Sequence, residues 1–167
     1  MPNSNPRQKT IGDAIQAVWG SGPNLAAFAA LVALAGMAAP FVTLGVDVGR
    51  GLFGQSNPMM ARSGGVNAFT AAGWIAWLTL VLFAIAAASW RIPAISGYRR
   101  LLAIAAAAFC VVTPIWALFL SSIAEQMRAA AVWGGGSQKF FSMGPHIGMA
   151  VLLAGGALLL LALRRPA

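Results

Sequence analysis

The chain is short of charge and of most side chains that carry chemistry. Only 8% of its 167 residues are charged, three of them are acidic, and there is one histidine and one cysteine. A lone cysteine, Cys110, excludes an internal disulfide, a CxxC redox pair and a cysteine metal site, and inside an apolar run it reads as a small buried residue. A lone histidine, His146, excludes bis-histidine haem ligation, and zinc would need three or four ligands that do not cluster here. The acids Asp13, Asp47 and Glu125 are too scattered to form a carboxylate pair, and no Ser/His/Asp set, GxSxG, HExxH or phosphate loop can be assembled. Ser121 and Ser122 read as helix residues bonding to their own backbone. The expectation is therefore no enzyme, no metal and no obligatory cofactor.

What the chain has in abundance is apolar length. Hydrophobic residues make up 59% of it, and four long runs stand out: Leu25 to Val46, Phe69 to Trp90, Leu101 to Ala124 and Ile147 to Leu163. Each is near the roughly 17 to 25 residues that a spanning helix requires. The reading is an all-α integral membrane protein, a four-helix transmembrane bundle over residues 24–165 preceded by a short N-terminal segment, 1–23. A cleavable signal fits less well, because the first run continues well past a signal core of roughly 7 to 15 residues.

The net charge of +8 does not point to nucleic acid, because the cations stand at the ends of the runs, where they meet lipid headgroups, and no basic cluster is interleaved with aromatics. Arg7, Lys9, Arg91, Arg99, Arg100, Arg164 and Arg165 fall on one side, against Arg50, Arg62, Arg128 and Lys139 on the other. The positive-inside rule then places both termini in the cytoplasm. An Ala/Gly-rich, Arg-over-Lys composition points to a bacterial cytoplasmic membrane.

Between the runs, Ile11, Ala14, Ile15, Val18 and Trp19 recur at helical spacing and predict an interfacial helix. The Gly- and Ser-rich connection Asp47 to Asn67 is expected to hold little regular structure. Ile123, Met127 and Ala131 keep helical spacing, so the third helix is expected to continue as far as Val132. The short connection Arg91 to Arg100 makes the second and third helices antiparallel neighbours.

Candidate site residues follow from what interrupts the runs. Gly144 and Gly148 form a GxxxG that continues through Gly155, and Gly36 offers a similar small face; these suit helix packing, within the chain or against a partner. Pro40 and Pro114 are hinge candidates, each freeing a carbonyl that Thr43 or Thr113 could help satisfy. His146 could be a single axial ligand to pigment or haem, and Trp74 with Trp77, three residues apart, could hold a quinone, lipid or pigment. Most of the six tryptophans read as an aromatic belt. Asp47, Arg50, Glu125 and Arg128 are candidates for ion pairs or a pore mouth. No run carries an ionisable residue near its centre, which disfavours proton-coupled transport. The leading expectation is a structural or accessory membrane protein that binds other membrane subunits or copies of itself. A small homo-oligomeric channel or transporter comes second and a pigment- or quinone-binding subunit third.

Overall fold

A computed structural model describes residues 19–47, 61–121 and 141–165 of the chain. They are mostly helical. The order is α1 (Gly22–Ala38), β1 (Val42–Asp47), β2 (Ala61–Val66), α2 (Ala68–Ala72), α3 (Trp74–Ala88), a 3-10 segment (Pro93–Tyr98), α4 (Arg99–Ile115), a π-helical turn (Trp116–Leu120), β3 (Phe141–Pro145) and α5 (Ile147–Ala162). Helix α1 packs on α5 and α3, and α4 packs on α3 and α5, so the four longer helices close a ring. Their burial makes one continuous core.

Local chemistry explains the boundaries. Pro23 stands in the first turn of α1, where a missing N–H is harmless. At the other end Ala39 takes extended angles, φ −67° and ψ 164°, because a residue before proline is pushed out of the α region. Pro40 therefore ends α1 rather than bending a longer helix, which corrects its reading as an intramembrane hinge. In front of α2, the Asn67 side chain accepts from the Thr70 N–H at 2.9 Å, capping the helix. Gly73, at φ 59° and ψ −128°, then separates α2 from α3, a conformation open only to glycine. Pro114 does lie inside a helix, and the backbone widens into the π turn two residues later.

The all-helical expectation needs correcting, because three strands pair antiparallel in the order β2-β1-β3. Val42 lies opposite both Val66 and Pro145, and Thr43 opposite both Gly65 and Gly144. Residues 42–46 are thus the central strand of a small sheet, not the last turns of a first spanning helix. Part of the connection expected to be irregular is β2. The third helix also stops early: Ser121 is extended at φ −74° and ψ 156°, so no continuous helix runs on to Val132.

Among the described residues one stretch, Pro93–Leu120, is long and apolar enough to cross a membrane, and only 28% of its most apolar part is buried within the protein. Helices α1, α3 and α5 are apolar but shorter, at 17, 15 and 16 residues. Of the interfacial helix expected from Ile11 to Trp19, residues 11–18 lie outside the described residues, and Trp19 is helical and exposed.

Candidate functional site

Helices α1 and α5 meet backbone to backbone. A Cβ on Gly36 would fall 2.6 Å from the Leu152 nitrogen, and one on Gly148 would fall 2.5 Å from the Gly36 carbonyl oxygen and 2.7 Å from that of Pro40. Further along, a Cβ on Gly155 would stand 3.0 Å from the Ala33 nitrogen. Gly36 facing Gly148, and Ala33 facing Gly155, make the pair antiparallel. Gly148 serves twice, because its N–H donates to the Pro40 carbonyl at 2.9 Å and so satisfies a first-turn donor of α5. These glycine faces are occupied within the chain. Gly144 differs: it lies in β3, where an added Cβ would meet nothing within 4 Å, so it and Gly148 form no helical GxxxG.

Helices α3 and α4 are joined by different means. Each carries a single threonine, Thr79 and Thr113, and their hydroxyl oxygens are 2.7 Å apart in the core. Thr79 also lies 2.8 Å from the Ile75 carbonyl and Thr113 lies 2.7 Å from that of Phe109. Two hydroxyl protons can make only two of these three bonds at once. One threonine donates across the helix pair while the other donates to its own backbone, and the two can exchange parts. Nothing in the sequence periodicity marks this pair; the only clue is that each helix holds a single threonine.

The remaining candidates are dispersed. His146 is exposed at the start of α5, where its Nδ1 accepts from the Ile147 N–H at 2.8 Å. Trp74 and Trp77 are 64% and 58% exposed and turn to different partners, Trp116 at a ring distance of 6.0 Å and Phe69 at 4.7 Å. Trp90 is only 8% exposed, so it is a core residue and not part of a belt. Cys110 is buried and free, with its sulfur packed on Gly156. Asp47 ends β1, whereas Arg50, Glu125 and Arg128 lie outside the described residues. No group of metal-ligating side chains forms among the described residues.

A sizeable cavity with a charged rim lies at the opposite end of the bundle from the sheet. It is an open groove of about 780 Å³ between the start of α4 and the end of α5, with Arg99, Arg100 and Arg164 at its rim and Ile104, Leu160 and Leu161 among its walls. The Arg99 guanidinium lies 5.1 Å from the centre of the Trp90 ring, and its Nε is buried without a hydrogen-bond partner. Asp47, the only acid among the described residues, stands in strand β1 of the sheet. In the sequence these arginines read as topology signals, and their convergence on one groove emerges only from the fold.

No protein-family model, curated protein or solved structure matches this chain.

Proposed function

We propose that the chain is a non-enzymatic structural or accessory protein of a bacterial cytoplasmic membrane, crossing it as a four-segment bundle whose arginine-rich end faces the cytoplasm. One observation carries this reading: large apolar side chains cover the outside of a bundle whose core is rich in small residues. Its interior is rich in alanine and glycine, with Ala29, Ala33, Ala76, Ala106 and Gly155 buried beside large groups such as Phe41, Phe83 and Leu152, while Leu31 and Leu101 are 64% and 66% exposed, and Val81, Ile104, Val111 and Leu153 also face outward. Water drives large apolar side chains inward, whereas lipid tails solvate them and leave close backbone packing to hold helices together.

The shorter helices fit this reading through what adjoins them. At about 1.5 Å per residue, α1 and α5 are each near 25 Å long, a little under the roughly 30 Å of hydrocarbon. The sheet continues from α1 and leads into α5, and its central strand has both neighbours paired. Non-helical backbone is tolerated at such depth where protein satisfies it. With the glycine faces of α1 and α5 taken up internally, the surfaces left for a partner are the outer ones, such as the Trp74 and Trp77 side of α3.

Purification in a gentle detergent with mass spectrometry and an absorption spectrum tests this. A stoichiometric foreign membrane subunit is the expected result. A homo-oligomer alone would replace the accessory reading with a channel or transporter, and a visible chromophore lost in His146→Ala would replace it with a pigment-binding role. Reporter fusions after Arg165 and between Ser56 and Ser63 test the orientation, and cytoplasmic signal from the second would overturn it.

A further inference from the structure

We infer that the groove between the start of α4 and the end of α5 binds an anionic phospholipid, its phosphate held by Arg99, Arg100 and Arg164 and its acyl chain laid along Ile104, Leu160 and Leu161. This rests on the membrane reading above. The groove joins two chemistries that only an amphiphile uses together: a cationic rim and an apolar wall that runs outward along two helices. A soluble anion would leave the wall unused, and a neutral lipid would leave the cations unanswered.

The charges at the rim are arranged for an incoming anion. Stacking on the buried Trp90 ring fixes the Arg99 side chain, and its orphaned Nε shows a donor for which the protein supplies no acceptor. Guanidinium groups match phosphate with paired N–H donors and are weakly hydrated, so they suit a headgroup at an interface. Ser96 also lines the groove, with its hydroxyl donating to the Pro93 carbonyl at 2.8 Å, which leaves its oxygen free to accept from a glycerol headgroup. The location agrees with the chemistry, because basic pockets between helices on the cytoplasmic side take anionic headgroups.

The test is native mass spectrometry of the full chain in neutral detergent, titrated with phosphatidylglycerol, phosphatidylcholine or inorganic phosphate. Phosphatidylglycerol should bind far more tightly than phosphatidylcholine, and each arginine removed from the rim should weaken it about fivefold, so that Arg99→Gln with Arg100→Gln loses about 25-fold. Arg91→Gln, at the same end but outside the groove, should change nothing. Equal losses from Arg91→Gln and from the rim variants would overturn a defined site in favour of diffuse surface charge. Inorganic phosphate that displaces phosphatidylglycerol at equal concentration would overturn the lipid assignment in favour of a soluble anion. If the Arg99 variant loses helical circular dichroism, the exposed pair Arg100→Gln and Arg164→Gln gives the same readout. Carbonate extraction separates the lipid site from the membrane reading beneath it. Release of the chain from membranes overturns the membrane reading, whereas a carbonate-resistant chain without preference for phosphatidylglycerol overturns only the lipid site.

Discussion

The α1–α5 seam and the α3–α4 seam solve one problem in opposite ways. Along α1 from Leu25 to Met37, and along the whole of α5, there is no polar side chain, and the helices close until the backbone of one touches the other. The α3–α4 seam holds a buried hydroxyl pair, and just past the end of α4 the Trp116 ring of the π turn meets Trp74 of α3 edge-on. On the membrane reading proposed above, lipid removes the hydrophobic drive between helices, and close packing and interhelical hydrogen bonds are what remain. One seam uses the first and its neighbour the second. The first should therefore be sensitive to added volume and the second to lost hydrogen bonding, and substitutions can separate the two.

The largest effect is expected where added volume meets backbone. In Gly148→Ala the new methyl would sit within 2.7 Å of two carbonyl oxygens, and in Gly36→Ala within 2.6 Å of a backbone nitrogen, so the helices must move apart along the seam. Overpacking costs about 1–3 kcal/mol and sometimes more, and backbone on both sides places these at the upper end. Unfolding by SDS in mixed micelles measures it. Gly144→Ala supplies the contrast: only four residues from Gly148, it has open space around the added carbon and should be near neutral. Equal destabilisation at positions 144 and 148 would show that the seam is not where the structure puts it.

A smaller effect is expected further down the same seam. The carbon added in Gly155→Ala would lie 3.0 Å from the Ala33 nitrogen and 3.1 Å from both the Ala29 oxygen and the Ala33 Cβ, so a shift of a few tenths of an ångström accommodates it. The alanine also removes a helix-interior glycine, which recovers about 0.5–1 kcal/mol. A net loss of about 1 kcal/mol, well below that of Gly148→Ala in the same SDS titration, is the expected result. A loss equal to that at Gly148 would mean that the seam is uniformly rigid.

The two seams were not equally legible. Helix α5 stood out because an unbroken apolar run follows Pro145-His146, and its bounds differ little from the run itself. Glycines at seven-residue spacing marked a face but not what the face meets, because periodicity gives direction without distance. The β1 strand was hidden because Val42, Thr43 and Val46 suit a strand and a buried helix alike, and a short apolar run cannot distinguish them. Pro40 held the missing information, since the residue before it is driven to an extended conformation. Strand β2, Ala-Arg-Ser-Gly-Gly-Val, has almost no side-chain signature of a strand and exists through backbone pairing with β1. The arginine groove needs the antiparallel approach of α4 and α5, which no local pattern encodes.

The smallest effect, and the sharpest test of the second seam, comes from the threonine pair. Valine keeps the shape of threonine but removes the hydroxyl, so Thr113→Val takes away the bond across the seam and leaves Thr79 to donate to the Ile75 carbonyl that it already reaches at 2.8 Å. Neither the remaining hydroxyl proton nor the Phe109 carbonyl, which has its helical N–H partner, is left wholly unpaired. The cost should thus be modest, and the reverse change, Thr79→Val, should be equally mild because Thr113 falls back on Phe109 in the same way. Interhelical side-chain hydrogen bonds in membranes average about 0.6 kcal/mol in double-mutant cycles, with a maximum near 1.7 kcal/mol. A cycle over Thr79→Val and Thr113→Val should return a coupling in that range, since each single change already abolishes the shared bond. Zero coupling would show two threonines bonding independently to their own helices, and the α3–α4 seam would then, like its neighbour, rest on packing alone.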